Sequence, residues 1–93
     1  MCGLFVNYTK HPDKQETTRL NLRAVDILKH RGPDLQGTFS TLDGKVFLGH
    51  SLLSLSTPNA AESLQPVKTD RSVMVFNGEV YNHRYLRKKL ISL

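Results

Sequence analysis

The chain has 93 residues, a formal net charge of +5 and a pI near 9.7, with 39% hydrophobic and 23% charged residues and a single cysteine. That is one small domain at most, too apolar for a disordered tail. One cysteine excludes an internal disulfide or an all-cysteine metal site, and the longest apolar run, Val73-Met74-Val75-Phe76, is far short of the ~20 residues a membrane helix needs.

Leu4-Phe5-Val6, running into Asn7-Tyr8, is rich in strand formers and predicts a buried first strand. No charged segment followed by an apolar core precedes it, so no signal peptide is expected and the reading is a cytoplasmic domain. His11 to Glu16 is polar and reads as a surface loop. Thr17 or Thr18 offers an N-cap to a helix whose apolar face is Leu20, Ala24, Ile27 and Leu28, with Val25 beside them. Lys29, His30 and Arg31 fill its last turn, Gly32 is the expected left-handed stop, and Pro33 prevents continuation.

Two strands, Thr38–Leu42 and Lys45–His50, flank Asp43-Gly44 and predict a hairpin, with 51–55 able to extend its second strand. A long loop opens at Thr57-Pro58-Asn59 and reaches Pro66. Ser72 to Asn77 predicts another strand, stopped at Gly78. From Asn82 a helical pattern places Tyr85, Leu86, Leu90 and Leu93 on one face and Arg84, Arg87 and Lys88 on the other. That final helix runs to Leu93 with no stop signal, which reads as a stretch of a longer chain. Most of the positive charge comes from Arg84, Arg87, Lys88 and Lys89. With no binding motif beside them, nucleic acid is not the expected partner.

Cys2 behind the initiator methionine is the sharpest chemical feature. Removal of Met1 would leave one residue carrying a thiol and a free α-amine; such amines titrate near ~7.7–8.0, so the amine can act as base for its own side chain. Asn77-Gly78 at a strand end is the second feature. A side-chain amide and the following backbone N–H can converge on one oxygen, as an oxyanion hole requires, although Asn-Gly is also a common turn. His30, His50 and His83 have no metal-ligand spacing, and neither a nucleophile elbow nor a phosphate loop is present.

Met1-Cys2-Gly3-Leu4, His30-Arg31-Gly32-Pro33-Asp34, Leu48-Gly49-His50 with Leu53-Ser54-Leu55, Gln65-Pro66 and Asn77-Gly78-Glu79-Val80-Tyr81-Asn82 occur in this order. Together they resemble the class II, N-terminal-nucleophile glutamine amidotransferase domain of the glutamine-hydrolysing asparagine synthetase type. The resemblance implies an α+β fold, the N-terminal portion of a four-layered αββα sandwich of antiparallel sheets, with residues 1–93 forming part of that domain and the synthetase domain lying outside them. It implies Cys2 as nucleophile, Asn77 and Gly78 as oxyanion hole, and a glutamine site drawn from Leu52, Leu53, Ser54, Leu55, Asn77, Gly78 and Glu79. It implies no cofactor within these residues, ATP and Mg²⁺ belonging to the synthetase domain. The implied partners are glutamine and the remainder of the enzyme, with no membrane.

One position departs from the pattern. Where the family carries an arginine that grips the glutamine α-carboxylate, this sequence has Leu52. Loss of such a charge-assisted contact costs roughly 2–5 kcal/mol of binding when nothing replaces it. The substitution keeps a second reading open, a non-catalytic amidotransferase-like interaction protein.

Overall fold

A computed structural model describes residues 2–53 and 63–93. Its elements are β1 (Gly3–Tyr8), α1 (Lys14–Ile27) continued by a 3₁₀ turn (Leu28–His30), β2 (Leu35–Ser40), β3 (Val46–Leu52), β4 (Val67–Lys68), β5 (Val73–Met74) and α2 (His83–Ile91). β1, β3 and β2 form an antiparallel sheet in that order, and β4 pairs with β5 as a separate antiparallel ribbon. The fold class is α+β, as expected.

The sheet has two unlike faces. The registers Gly3↔Ser51, Phe5↔Gly49 and Asn7↔Phe47 put these residues on the side that receives α1. Phe5 and Phe47 meet there as tilted rings, 6.1 Å between centroids. Val25, 2% exposed, sits against Gly49, where a Cβ would collide with its Cγ2 atom. A helix leaves its last carbonyls without intrahelical partners. Here the Val25 carbonyl accepts hydrogen bonds from Gln36 Nε2 at 2.9 Å and from the buried Ser51 hydroxyl at 3.3 Å. Asn7 Nδ2 donates to Asn21 Oδ1 at 2.9 Å across the same interface.

The opposite face carries Leu4, Val6 and Tyr8 from β1, which are 40%, 54% and 67% exposed. The first strand is therefore half-buried, contrary to the expected burial. Its outward side chains have no covering layer among the described residues. The side chains of His50 and Leu52 lie on this same side of the central strand, and both are buried.

Other expectations change in detail. α1 begins three residues before Thr17, and its N-cap is Asp13, whose carboxylate accepts the Glu16 N–H at 3.3 Å; much of the supposed loop is thus helix. The inward face of α1 is Asn21 and Val25, while Leu20 and Ile27 are half or more exposed, because the sheet presents Asn7 to the helix and selects a polar partner for it. Gly32 is not left-handed. The helix ends through the 3₁₀ turn, and Gly32 packs under the β3 backbone, where a Cβ would strike the Ser51 carbonyl.

The Asp43-Gly44 hairpin is present, with Gly44 at φ +74°; Asp43 accepts from Thr41 Oγ1 at 2.7 Å and from Lys45 N at 3.0 Å. Its carboxyl is held below the usual range by these two donors. β3 stops at Leu52; residues 54–62, with the first part of the expected long loop, lie outside the described residues. The strand expected over 72–77 contracts to Val73–Met74. In α2 the apolar side chains form one stripe, and every residue of the helix is exposed.

Candidate active site

Cys2 stands one residue ahead of β1, and the β1–β3 register brings it beside the end of β3. The Leu53 N–H points at its sulfur, N to Sγ 3.3 Å, with the Leu53 carbonyl 3.9 Å from Sγ. The cysteine is half-buried and unbonded to any other sulfur. A thiol in this position has one fixed backbone donor and an opening to solvent.

Asn77 reaches the same place from 75 residues away. Its Nδ2 donates to the backbone carbonyl of Cys2 at 3.0 Å. A primary amide carries two hydrogens, so this contact anchors the group and leaves the second hydrogen available. Gly78 follows, exposed, with the Phe76 ring 3.1 Å from where its Cβ would be. Cys2, Leu53, Asn77 and Gly78 are thus brought to one end of the sheet.

The remaining expected site residues fall into three groups. Leu52 is 6% exposed, and its carbonyl accepts the Asp34 N–H at 3.1 Å, extending the β2–β3 ladder. Glu79 is exposed and lines an open hollow of about 500 Å³ with Val80, Tyr81 and His83; Cys2 and Asn77 do not line it. Ser54 and Leu55 lie outside the described residues.

His50 is the polar group in this region that composition gave no reason to single out. It is 1% exposed, and neither ring nitrogen has a hydrogen-bond partner among the described residues. Burial pushes its pKa down, keeping the ring neutral at pH 7. Among the described residues no three His, Cys, Asp or Glu side chains converge as metal ligands would. Among the described residues no helix is long and apolar enough to cross a membrane.

Across all 93 residues the chain matches the glutamine amidotransferase domain family. It belongs to that family. It is 37% identical to an asparagine synthetase [glutamine-hydrolyzing] of Asparagus officinalis and to a nodule enzyme of the same name from Pisum sativum, and 35% identical to asparagine synthetase [glutamine-hydrolyzing] 1 of Arabidopsis thaliana. Each match covers 97% of this chain but 15% of the relative. The chain therefore spans about a sixth of the length of the curated relatives it matches. No solved structure matches it at a significant level.

The expected class II, asparagine-synthetase-type resemblance is thus supported by the family match and by these relatives. Composition did not single out Leu53 as the donor to the thiol, nor Gln65 as a residue with a task. Leu53 acts through its backbone N–H, for which side-chain chemistry in the sequence carries no signal, and the Gln65 side chain meets only the backbone of Phe76, which its own position in the sequence does not disclose.

Proposed function

We propose that these residues carry the glutamine-hydrolysing half-reaction of an asparagine-synthetase-type amidotransferase. After removal of Met1, the Cys2 thiol gives its proton to its own α-amine, and the sulfur attacks the side-chain amide carbon of glutamine. The developing oxyanion is met by the free Nδ2 hydrogen of Asn77 and the N–H of Gly78. Collapse of this intermediate breaks the C–N bond, the α-amine returns the proton, and ammonia leaves. Water then attacks the glutamyl thioester, the thiol is regenerated, and glutamate departs. Glu79 holds the substrate's amino end, while Leu52 and Leu53 form its wall.

The observation that carries this reading is the Asn77 Nδ2 to Cys2 carbonyl hydrogen bond, which holds the oxyanion donor against the residue bearing the nucleophile. The uncovered Leu4, Val6 and Tyr8 face is what a second sheet would bury, in keeping with a four-layered αββα sandwich completed by the rest of the enzyme. Use of the ammonia in an ATP- and Mg²⁺-dependent synthesis, in the cytoplasm, belongs to that remainder.

Incubation with diazo-oxo-norleucine followed by intact mass tests the reading. A single adduct on Cys2, on a chain lacking Met1, is the expected result. An unlabelled chain that binds a protein partner supports the interaction-protein alternative, which the buried apolar Leu52 favours.

A further inference from the structure

The β4–β5 ribbon pairs Val67 with Met74 and Lys68 with Val73. Continuing that register by two residues sets Gln65 opposite Phe76. The backbone pairing itself ends at Val67↔Met74. The Gln65 side chain takes over. Its Oε1 accepts the Phe76 N–H at 2.5 Å, and its Nε2 donates to the Phe76 carbonyl at 3.0 Å. The amide therefore imitates a strand residue, exchanging one bond in each direction with a single partner. The opposite amide orientation would set NH₂ against N–H and oxygen against oxygen, so the network fixes which atom is which.

Gln65 is itself held. Its backbone carbonyl lies against Gly37 of β2, where a Cβ would strike it, so the glycine admits the segment onto the sheet. The residue after Phe76 is Asn77, whose side chain meets the Cys2 carbonyl. A continuous path runs from β2 through Gln65 and the Phe76 backbone to Asn77 and Cys2.

The geometry points to Gln65 as the positioning residue for the Asn77-Gly78 pair: its two-point hold on Phe76 sets where the Asn77 amide and the Gly78 N–H stand relative to Cys2. Gln65 does not touch the reacting atoms; it acts through Phe76. This inference rests on the proposed function for its catalytic consequence but not for its structural one, and the two are read separately.

Two variants of the full chain test it, both followed by ¹⁵N NMR of the Asn77 side-chain amide and the Gly78 N–H, with circular dichroism as a check of folding. Gln65→Met keeps the volume and removes both bonds; the Asn77 amide should then lose its protection from hydrogen exchange while the resonances of β1, β3 and α1 stay in place. Gln65→Glu gives a sharper reading. A protonated carboxyl can donate to the Phe76 carbonyl and accept from its N–H, whereas an ionised one faces that carbonyl with negative charge. Protection of Asn77 should therefore be near that of the parent at pH 3.5 and fall as pH rises through ~4–5, a titration the parent lacks.

Unchanged Asn77 exchange in Gln65→Met, or pH-independent protection in Gln65→Glu, overturns the inference. Where the parent releases ammonia from glutamine, Gln65→Met should lower kcat at least tenfold and leave KM within about twofold. A parent that is inactive yet shows the NMR response refutes the hydrolase reading and leaves the positioning role standing.

Discussion

The two faces of the three-stranded sheet differ in how they are closed. Toward α1, apolar and polar groups both find partners: Val25 fills the space over Gly49, Asn7 bonds Asn21, and the Val25 carbonyl accepts from both Gln36 and Ser51. On the other side Leu4, Val6 and Tyr8 stay open, His50 is buried with no hydrogen-bond partner among the described residues, and Asn77 reaches Cys2 through a side-chain contact. The comparison shows that the α1 face is completed by the local chain. The face that holds the candidate chemistry draws on distant segments, and nothing among the described residues covers its outward side chains.

Substitutions can break or sharpen this contrast. The largest effect is expected for Cys2→Ala, which should abolish glutamine hydrolysis and electrophile labelling, because this is the only thiol in the chain. Circular dichroism should be unchanged, the variant losing the weak contacts between the sulfur and the Leu53 N–H and carbonyl. Ammonia release by this variant above the uncatalysed background refutes the mechanism.

Leu52→Arg should act in two opposite ways. A guanidinium at a 6% exposed position lowers Tm. Restoring a carboxylate partner should lower KM for glutamine by about tenfold or more with a smaller change in kcat, the pattern of an interaction common to ground and transition states. Loss of stability with no change in KM would mean that Leu52 serves packing alone.

On the closed face, Val25→Ala should cost roughly 2 kcal/mol through lost burial and a residual cavity, whereas the same change at the exposed Val6 should cost about 0.5 kcal/mol or less. Urea titration of the two variants compares the faces directly, and equal losses would show that the second face is covered in solution.

The smallest effect concerns pH. Because burial depresses the His50 pKa, the unfolded chain binds the proton more readily than the folded one. Stability should therefore fall as pH drops below about 6.5, the unfolded value, until the folded ring also titrates. His50→Phe should flatten Tm between pH 7 and pH 5, and an unaltered slope would assign the acid sensitivity to other groups.

What the sequence made legible follows from how locally each feature is encoded. The hairpin was readable because a positive-φ glycine beside Asp43 is specified by adjacent residues. The start of α1 was hidden in a polar run, although Asp13 with Glu16 three residues on is a capping signature. The inward helix face was misjudged because hydrophobic periodicity assumes an apolar host, and the sheet offers Asn7. The strand ahead of Asn77 was drawn too long because Phe76 is paired by a side chain rather than by backbone. That Asn77 meets Cys2 could be reached only through the family resemblance; no spacing rule joins residues 75 apart.

The Asn77 contact has a consequence for tolerance to motion. Its amide is fastened to the carbonyl of the same residue that bears the sulfur. A shift of the first strand, whether from thermal breathing or from docking of further layers, carries both groups together. Sulfur and donor share one frame of reference, so their separation is buffered against displacements that would misalign groups mounted on independent elements. A small sheet with one open face can thereby keep a fixed local alignment at its edge.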